Sequence, residues 1–251
     1  MGLMDLLISY VAPVFLITSP ITSYGDQIRS IHIRRSSQGF SLDTPLIMLI
    51  ASILRCFYWL GNRFELSLLY QSLLQILVQL ILLKTALDHR PPPIVTPFSP
   101  SPTSTRPYNF WQWRSPRPYW EFLTYFTLTT TVLQLLFGRS MIFVSLLGAV
   151  GLGIEALLPL PQALQNEKRK SCDGFRITVL ASWLAGDAMK LVFFWNAEKV
   201  GVMFKACAVI QSCLDAFLGI QFWRYGNGPA VGEEEGHGRA REGWELDKTA
   251  A

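Results

Sequence analysis

The sequence predicts an all-α polytopic membrane protein, with seven transmembrane helices set as two parallel three-helix bundles joined by one linker helix (3+1+3). Three observations predict it. First, half of the 251 residues are hydrophobic and 16% are charged, and mean hydropathy is +0.28 although two long stretches are strongly polar. An ordinary soluble domain carries about 25% charged residues. Second, the apolar residues collect in seven runs, each near the roughly 20 residues that cross a hydrocarbon core of about 30 Å. Third, the first three and the last three of these runs resemble each other.

The runs are, in order, Asp5–Gln27, Leu42–Leu60, Leu66–Leu83, Tyr119–Phe137, Met141–Leu160, Ile177–Trp195 and Val202–Phe222. Seven such helices leave too little polar surface to cover them in water. The first run has no basic flank before it and no small-x-small cleavage pattern after it, so it reads as a retained helix rather than a cleaved leader. Tyr58-Trp59, Trp195, Trp111, Trp113, Tyr119-Trp120, Trp223 and Tyr225 sit at the ends of runs, where an aromatic ring with one polar edge suits the interface.

Charge placement orients the chain. Alternating the connections across seven spans puts Arg29, Arg34, Arg35, Lys84, Arg90, Arg106, Arg114, Arg117, Lys168, Arg169, Lys170, Arg176, Arg224, Arg239, Arg241 and Lys248 on one side. Only Arg63, Arg139, Lys199 and Lys205 fall on the other. Lys and Arg accumulate on the cytosolic side. The N-terminus is therefore expected to be lumenal and the C-terminus cytosolic. The net charge of +4 and pI near 8.9 are a topology signal and not a nucleic-acid footprint.

Residues 86–118 hold nine of the fifteen prolines, among them Pro91-Pro92-Pro93. Proline lacks an amide donor and favours extended chain, so a cytosolic connector is expected here, able to offer proline-rich motifs to a partner. The expected organisation is 1–85, first three-helix repeat; 86–118, connector; 119–138, linker helix; 139–222, second three-helix repeat; and 223–251, a disordered cytosolic tail rich in Gly and charge.

The repeat appears as a parallel duplication at an offset of 135. Gln27, Ser36, Gly39, Phe40 and Arg55 fall on Gln162, Ser171, Gly174, Phe175 and Lys190. In the third helix of each unit the offset becomes 140, and Gln71-Ser72 and Gln75 fall on Gln211-Ser212 and Asp215. Three spans are an odd number, so a linker helix must return the chain to its starting side if both units are to face the same way. Parallel repeats of this kind place a working cavity between halves in one group of transporters.

Pro161-Gln162, the basic Lys168-Arg169-Lys170 and Gly174-Phe175 resemble the motif of the PQ-loop family, which is related to the SWEET sugar transporters and cystinosin. Gly39-Phe40-Ser41, the run Ala51–Trp59, Glu155-Ala156 and Gly186–Lys190 resemble one branch of that family more closely. That branch holds animal PQ-loop repeat-containing protein 1 and fungal Golgi and endosome proteins that oppose phospholipid flippases. The first repeat departs from the motif, with Asp26-Gln27 where Pro-Gln is expected; Pro20, two turns earlier, is placed to supply a kink instead.

Five ionisable residues fall inside spans: Arg55, Glu155, Asp187, Lys190 and Asp215. Each costs about 2.5–3.5 kcal/mol at mid-membrane on the insertion scale, so they are expected to pair or to line a wet path. Asp187 and Lys190, three apart, share one helix face and are expected to pair; Arg55 is expected to reach Asp215 or Glu155. Gln71, Gln75 and Gln211 extend a polar stripe on the third helix of each unit. Pro159 and Pro161 remove amide donors at the end of the fifth run and are expected to bend or end that helix. Gly151-Leu152-Gly153 is expected to serve close helix packing.

No G-x-x-x-x-G-K-[ST] phosphate loop occurs, His32, His89 and His237 are scattered, and no hydrolytic triad lies in a span. No enzyme activity, metal or cofactor is expected. The resemblance implies an ATP-independent phospholipid scramblase of Golgi, trans-Golgi and endosomal membranes, whose mixed-sign residues suit zwitterionic headgroups. A proton-coupled transporter of a small amino-acid-like or sugar-like solute is the alternative, and a non-transporting scaffold the third reading.

Overall fold

The computed structural model describes residues 10–37, 40–90, 110–111, 113, 115–172 and 177–226. Gly39, Gly174-Phe175, the centre of the proline-rich connector and the tail from residue 227 lie outside the described residues. Among the described residues are eight helices and no strand: α1 Ala12–Arg34, α2 Asp43–Gly61, α3 Leu66–Asp88, α4 Arg117–Phe137, α5 Met141–Ala156, α6 Leu160–Arg169, α7 Ile177–Asn196 and α8 Val202–Tyr225. Helices α2, α3 and α8 are each long and apolar enough to cross a membrane. Helices α5 and α6, separated by a short break, count as a fourth candidate only if the two form one span. The protein is a multi-pass helical membrane protein.

Helix α1 continues through Asp26-Gln27 to Arg34, seven residues past the expected end of its run, and Pro20 lies inside it. A mid-helix proline leaves the carbonyl four residues back without its amide. Here that carbonyl is Leu16's, and the Ser19 hydroxyl donates to it at 2.8 Å. The neighbouring Thr18 hydroxyl donates to the Val14 carbonyl at 2.9 Å. Local hydroxyls thus satisfy the freed backbone, and the helix passes the proline unbroken.

The fifth run behaves differently. It was expected to be helical to Leu160, but α5 stops at Ala156 and α6 starts at Leu160. Pro159 and Pro161 cannot donate to the carbonyls of Glu155 and Leu157. The Leu160 amide turns to the Leu157 carbonyl at 3.0 Å, and the Ala163 amide takes the Pro159 carbonyl at 3.0 Å. Pro161 then occupies the first turn of α6, where a missing amide costs nothing. The prolines both end one helix and begin the next.

The described residues form two compact units, one drawn from 1–155 with 193–204, the other from 156–192 with 205–226. In the first, α3 packs against both α1 and α2, and α4 touches α2. Helix α3 differs from a soluble amphipathic helix. Leu66, Tyr70, Leu73, Leu77 and Ile81 face outward, while Ser67, Gln71, Ser72, Gln75 and Gln79 are buried along with Leu68, Val78, Leu82 and Leu83. Lipid replaces water as the outer solvent, so apolar residues can face out while a polar stripe is kept inside.

The end of the connector is built into this unit. Trp111 and Tyr119, expected at the membrane interface, are buried within the protein, packed with Leu46, Leu49, Leu83, Leu87 and Leu123. The Trp111 indole donates to the Leu42 carbonyl at 2.6 Å, and the Tyr119 hydroxyl donates to the Trp111 and Trp113 carbonyls at 3.2 Å. Arg90 donates to the Trp113 carbonyl at 2.7 Å. Trp111 adopts φ of 59°, a left-handed conformation costly for a bulky residue and held by this packing.

In the second unit, Ala163 of α6, Leu180 of α7 and Leu218 of α8 form the core, with Trp183 and Phe222 beside them.

Candidate functional site

The first unit buries a charge pair. Arg55 sits mid-way along α2, one of the most apolar stretches of the chain, and its side chain is 5% exposed. Its guanidinium donates through Nη1 to Glu155 Oε2 at 2.5 Å and through Nε to Ser72 Oγ at 2.5 Å. Of the two partners considered for Arg55, the structure gives Glu155, a hundred residues away. Ser72 passes its own proton to the Leu68 carbonyl at 2.7 Å, which leaves its lone pairs for the guanidinium. Tyr24 of α1 stands close to both Glu155 and Gln79.

Gly151 is what lets Glu155 reach. It lies one turn before Glu155 on α5, and a Cβ there would stand 3.2 Å from both the Ala51 carbonyl oxygen and Leu54 Cβ, and 3.4 Å from the Arg55 amide nitrogen. The expected close packing at this glycine pair resides in Gly151; a Cβ on Gly153 meets nothing within 4 Å. Gly151→Leu is expected to push α5 off α2 and part the ion pair, at about 1–3 kcal/mol for overpacking. Thermal unfolding of Gly151→Leu against Gly153→Leu checks this: only the former should melt markedly lower.

Around the pair runs a polar stripe. Ser67, Gln71, Gln75 and Gln79 recur every fourth residue on α3, so they stack on one face. They extend over about 18 Å at 1.5 Å per residue, more than half of a hydrocarbon core. Gln71 donates to the Ser19 hydroxyl of α1 at 3.3 Å. Ser67 Oγ, Gln75 Nε2 and both amide atoms of Gln79 are buried without a hydrogen-bond partner. Sequence reading picked Gln71 and Gln75 and missed Ser67 and Gln79, although the four-residue spacing marks them equally.

The second unit has its own set. Asp187, 4% exposed on α7, and Asp215, 1% exposed on α8, adjoin each other, with Ser212 and the Lys190 charge nearby. Lys190 turns its hydrogen bond to Gln211 Oε1 at 3.2 Å. Asp187 was expected to take Lys190 as its partner, but its close neighbour is Asp215, and Asp187 Oδ2 and Asp215 Oδ1 are buried without hydrogen-bond partners. The duplication is visible in geometry: in each unit the cation of one helix hydrogen-bonds the repeat-equivalent Gln-Ser pair of the next, Arg55 to Ser72 and Lys190 to Gln211.

The motif residues do not join either set. Asp26 and Gln27 are exposed on α1. Pro159 is buried at the break before α6, and Gln162 donates to Asn166 Oδ1 at 2.8 Å within α6. At the far end of α6, Glu167 accepts from Lys170 and, at 2.7 Å, from the Tyr225 hydroxyl of α8, while Gln221 donates to the Ala163 carbonyl at 3.0 Å.

These donors hold the Glu167 carboxyl well below its ordinary 4.5, at about 2, the Lys170 hydrogen bond contributing most. A depressed carboxyl pKa gives stability that is present above the ordinary value and lost as pH falls toward the lowered one. The clasp between α6 and the end of α8 should therefore loosen between about pH 4.5 and 2. The protection of the amides of Phe222–Tyr225 against hydrogen exchange, relative to the intrinsic rate at each pH, should fall through that window in the native protein. In Glu167→Gln it should be low and nearly independent of pH there.

The model of the PQ loop repeat matches residues 27–68 and 143–197, one match in each half of the internal duplication. Scramblase ANY1 of Saccharomyces cerevisiae is 30% identical over a 292-residue alignment that covers 88% of this chain and 71% of that protein. The chain belongs to the PQ-loop repeat family. Both PQ-loop matches include the second-helix cation, Arg55 in one and Lys190 in the other, and the second includes Glu155, Pro161-Gln162 and Asp187.

Proposed function

We propose that the protein is an ATP-independent phospholipid scramblase of Golgi and endosomal membranes, acting against flippases. The observation that carries this is the polar stripe of helix α3, in which buried Ser67, Gln71, Gln75 and Gln79 keep polar atoms unpartnered beside the Arg55–Glu155 pair. An orphaned buried polar group costs about 1–3 kcal/mol. A membrane protein that keeps several in register has donors and acceptors reserved for a passing polar group. A phospholipid headgroup moving along such a stripe while its tails stay in the bilayer needs no energy source, only a lower barrier. Similarity to a protein named a scramblase supports the same reading.

In this proposal the seven runs all span, as 3+1+3, with 1–85 and 139–222 as the two repeats, 119–138 as the linker helix, 86–118 as a cytosolic connector that offers proline-rich motifs, and 223–251 as a cytosolic tail. The N-terminus is lumenal. Arg55, Gln71 and Gln75 of the first repeat line the path together with Glu155 of the second, and Lys190, Gln211 and Asp215, with Asp187 beside them, hold the positions equivalent to Arg55, Gln71 and Gln75, with Pro159 and Pro161 as the hinge.

The adjoining carboxyls of Asp187 and Asp215 favour a second reading, a proton-coupled transporter of a small solute. As a dianion the buried pair repels itself, and a shared proton or a bound cation relieves that. Purified protein in sealed liposomes with fluorescent phospholipid separates the two. An impermeant reductant that bleaches label beyond the outer leaflet's share, without ATP, supports scrambling. Bleaching that stops at the outer leaflet, in vesicles shown to hold folded protein, together with solute uptake that tracks a proton gradient, supports the second reading.

A further inference from the structure

We infer that the Arg55–Glu155 ion pair selects zwitterionic phospholipids by exchanging partners with the headgroup; this rests on the scramblase reading. The pair is an arginine and a carboxylate, 5% and 16% exposed, joined at 2.5 Å. Separating it inside a membrane exposes one uncompensated cation and one uncompensated anion, each expensive. A headgroup that carries both a phosphate and an ammonium supplies both missing partners at once. The phosphate takes the guanidinium, which matches its planar fork of donors. The ammonium takes the Glu155 carboxylate. Two ion pairs replace one ion pair and one internally neutral headgroup, and no net charge is left unpaired in the exchanged state.

The surroundings fit the exchange. Ser72, bonded to the Arg55 Nε, holds the guanidinium in place while Nη1 changes partner. Gln75, one turn beyond Ser72 on the same helix, has a buried amide Nε2 without a partner. It supplies a donor for one of the phosphate's remaining oxygens. Glu155 is the last residue but one of α5, just ahead of the break at 157–159. An anionic headgroup without an ammonium, such as phosphatidylglycerol, would occupy Arg55 and strand Glu155.

The test measures scrambling of labelled phosphatidylcholine, phosphatidylethanolamine and phosphatidylglycerol by the full chain in vesicles of one fixed composition. The wild type is expected to move the two zwitterionic lipids faster than phosphatidylglycerol. Glu155→Gln keeps the shape and removes the anion, and should raise the phosphatidylglycerol-to-phosphatidylcholine rate ratio about tenfold, a change of about 1.4 kcal/mol in relative barrier. Arg55→Gln should lower that ratio. If Glu155→Gln does not fold, Glu155→Asp serves in its place, and there the zwitterionic preference should survive. Equal ratios in the wild type and in every variant that moves lipid would overturn the exchange while leaving the scramblase reading intact. A wild type that moves none of the three lipids would overturn both.

Discussion

Trp111→Ala is expected to destabilise the first unit by about 3–5 kcal/mol, the range for emptying a buried large aromatic site. Trp111 is 1% exposed, at the end of a connector whose proline content suggests loose chain. Its ring contacts Tyr119 at 4.8 Å between centroids, edge to face, and Trp113 at 5.9 Å. Its indole N–H holds the Leu42 carbonyl just ahead of α2. Removing the ring opens a cavity, orphans that carbonyl and leaves the left-handed backbone at residue 111 without the packing that maintains it. Trp111→Phe keeps most of the apolar volume and loses only the donor, and should cost about 1–3 kcal/mol. Thermal unfolding of the detergent-solubilised protein measures both. An alanine variant as stable as the wild type would mean that the connector's end is not part of the fold.

Arg55→Ala is expected to cost about 3–5 kcal/mol, because it leaves the Glu155 carboxylate buried without its cation. Its size comes from the stranded charge and not from the net worth of the pair. Replacing both partners with apolar residues of similar volume, Arg55→Met with Glu155→Leu, removes two desolvated charges together. That double variant should be near the wild type in stability, within about 1 kcal/mol, or more stable. Two strongly destabilising single changes that combine to almost nothing would establish the coupling of residues 55 and 155 in the membrane. Additive losses would show that the 2.5 Å contact contributes little to the folded protein.

Much of this fold was legible because a bilayer imposes a length. The starts of α3, α5, α7 and α8, at Leu66, Met141, Ile177 and Val202, fall where the apolar runs begin. The ends were less legible: α1 reaches Arg34 instead of Gln27, and α3 reaches Asp88 instead of Leu83. Hydropathy marks the hydrocarbon layer, whereas backbone hydrogen bonding continues the helix into the headgroup region and beyond. Pro20 and Pro159 are alike in sequence and differ in outcome, because Ser19 supplies the Leu16 carbonyl with a donor while two prolines two residues apart remove two of three neighbouring bonds of the ladder at the end of α5.

The site shows the same division. The intramembrane charges were visible as anomalies in apolar runs, and the duplication brought out the equivalence of Arg55 and Lys190. Their partners were not visible. Arg55 to Glu155 is a contact between residues a hundred apart that depends on Gly151 letting two backbones approach. Asp187 and Lys190 share a helix face, yet Lys190 reaches Gln211 on the next helix because its long stem carries the charge away from its own helix. The burial of Trp111 was not legible either, because composition alone does not show that a residue in a proline-rich segment folds back onto a core.

The central claim is that the buried polar stripe and its ion pair form the route for headgroups, and not merely a brace between helices. The double variant Arg55→Met, Glu155→Leu tests it most directly, since its fold should survive while its charges are gone. Lipid scrambling by this variant, reconstituted in sealed vesicles at the same protein density as the wild type, is predicted to fall by about tenfold or more, about 1.4 kcal/mol of added barrier, with the melting temperature unchanged or raised. Scrambling at the wild-type rate by a folded double variant would contradict the account and leave the ion pair a structural element alone.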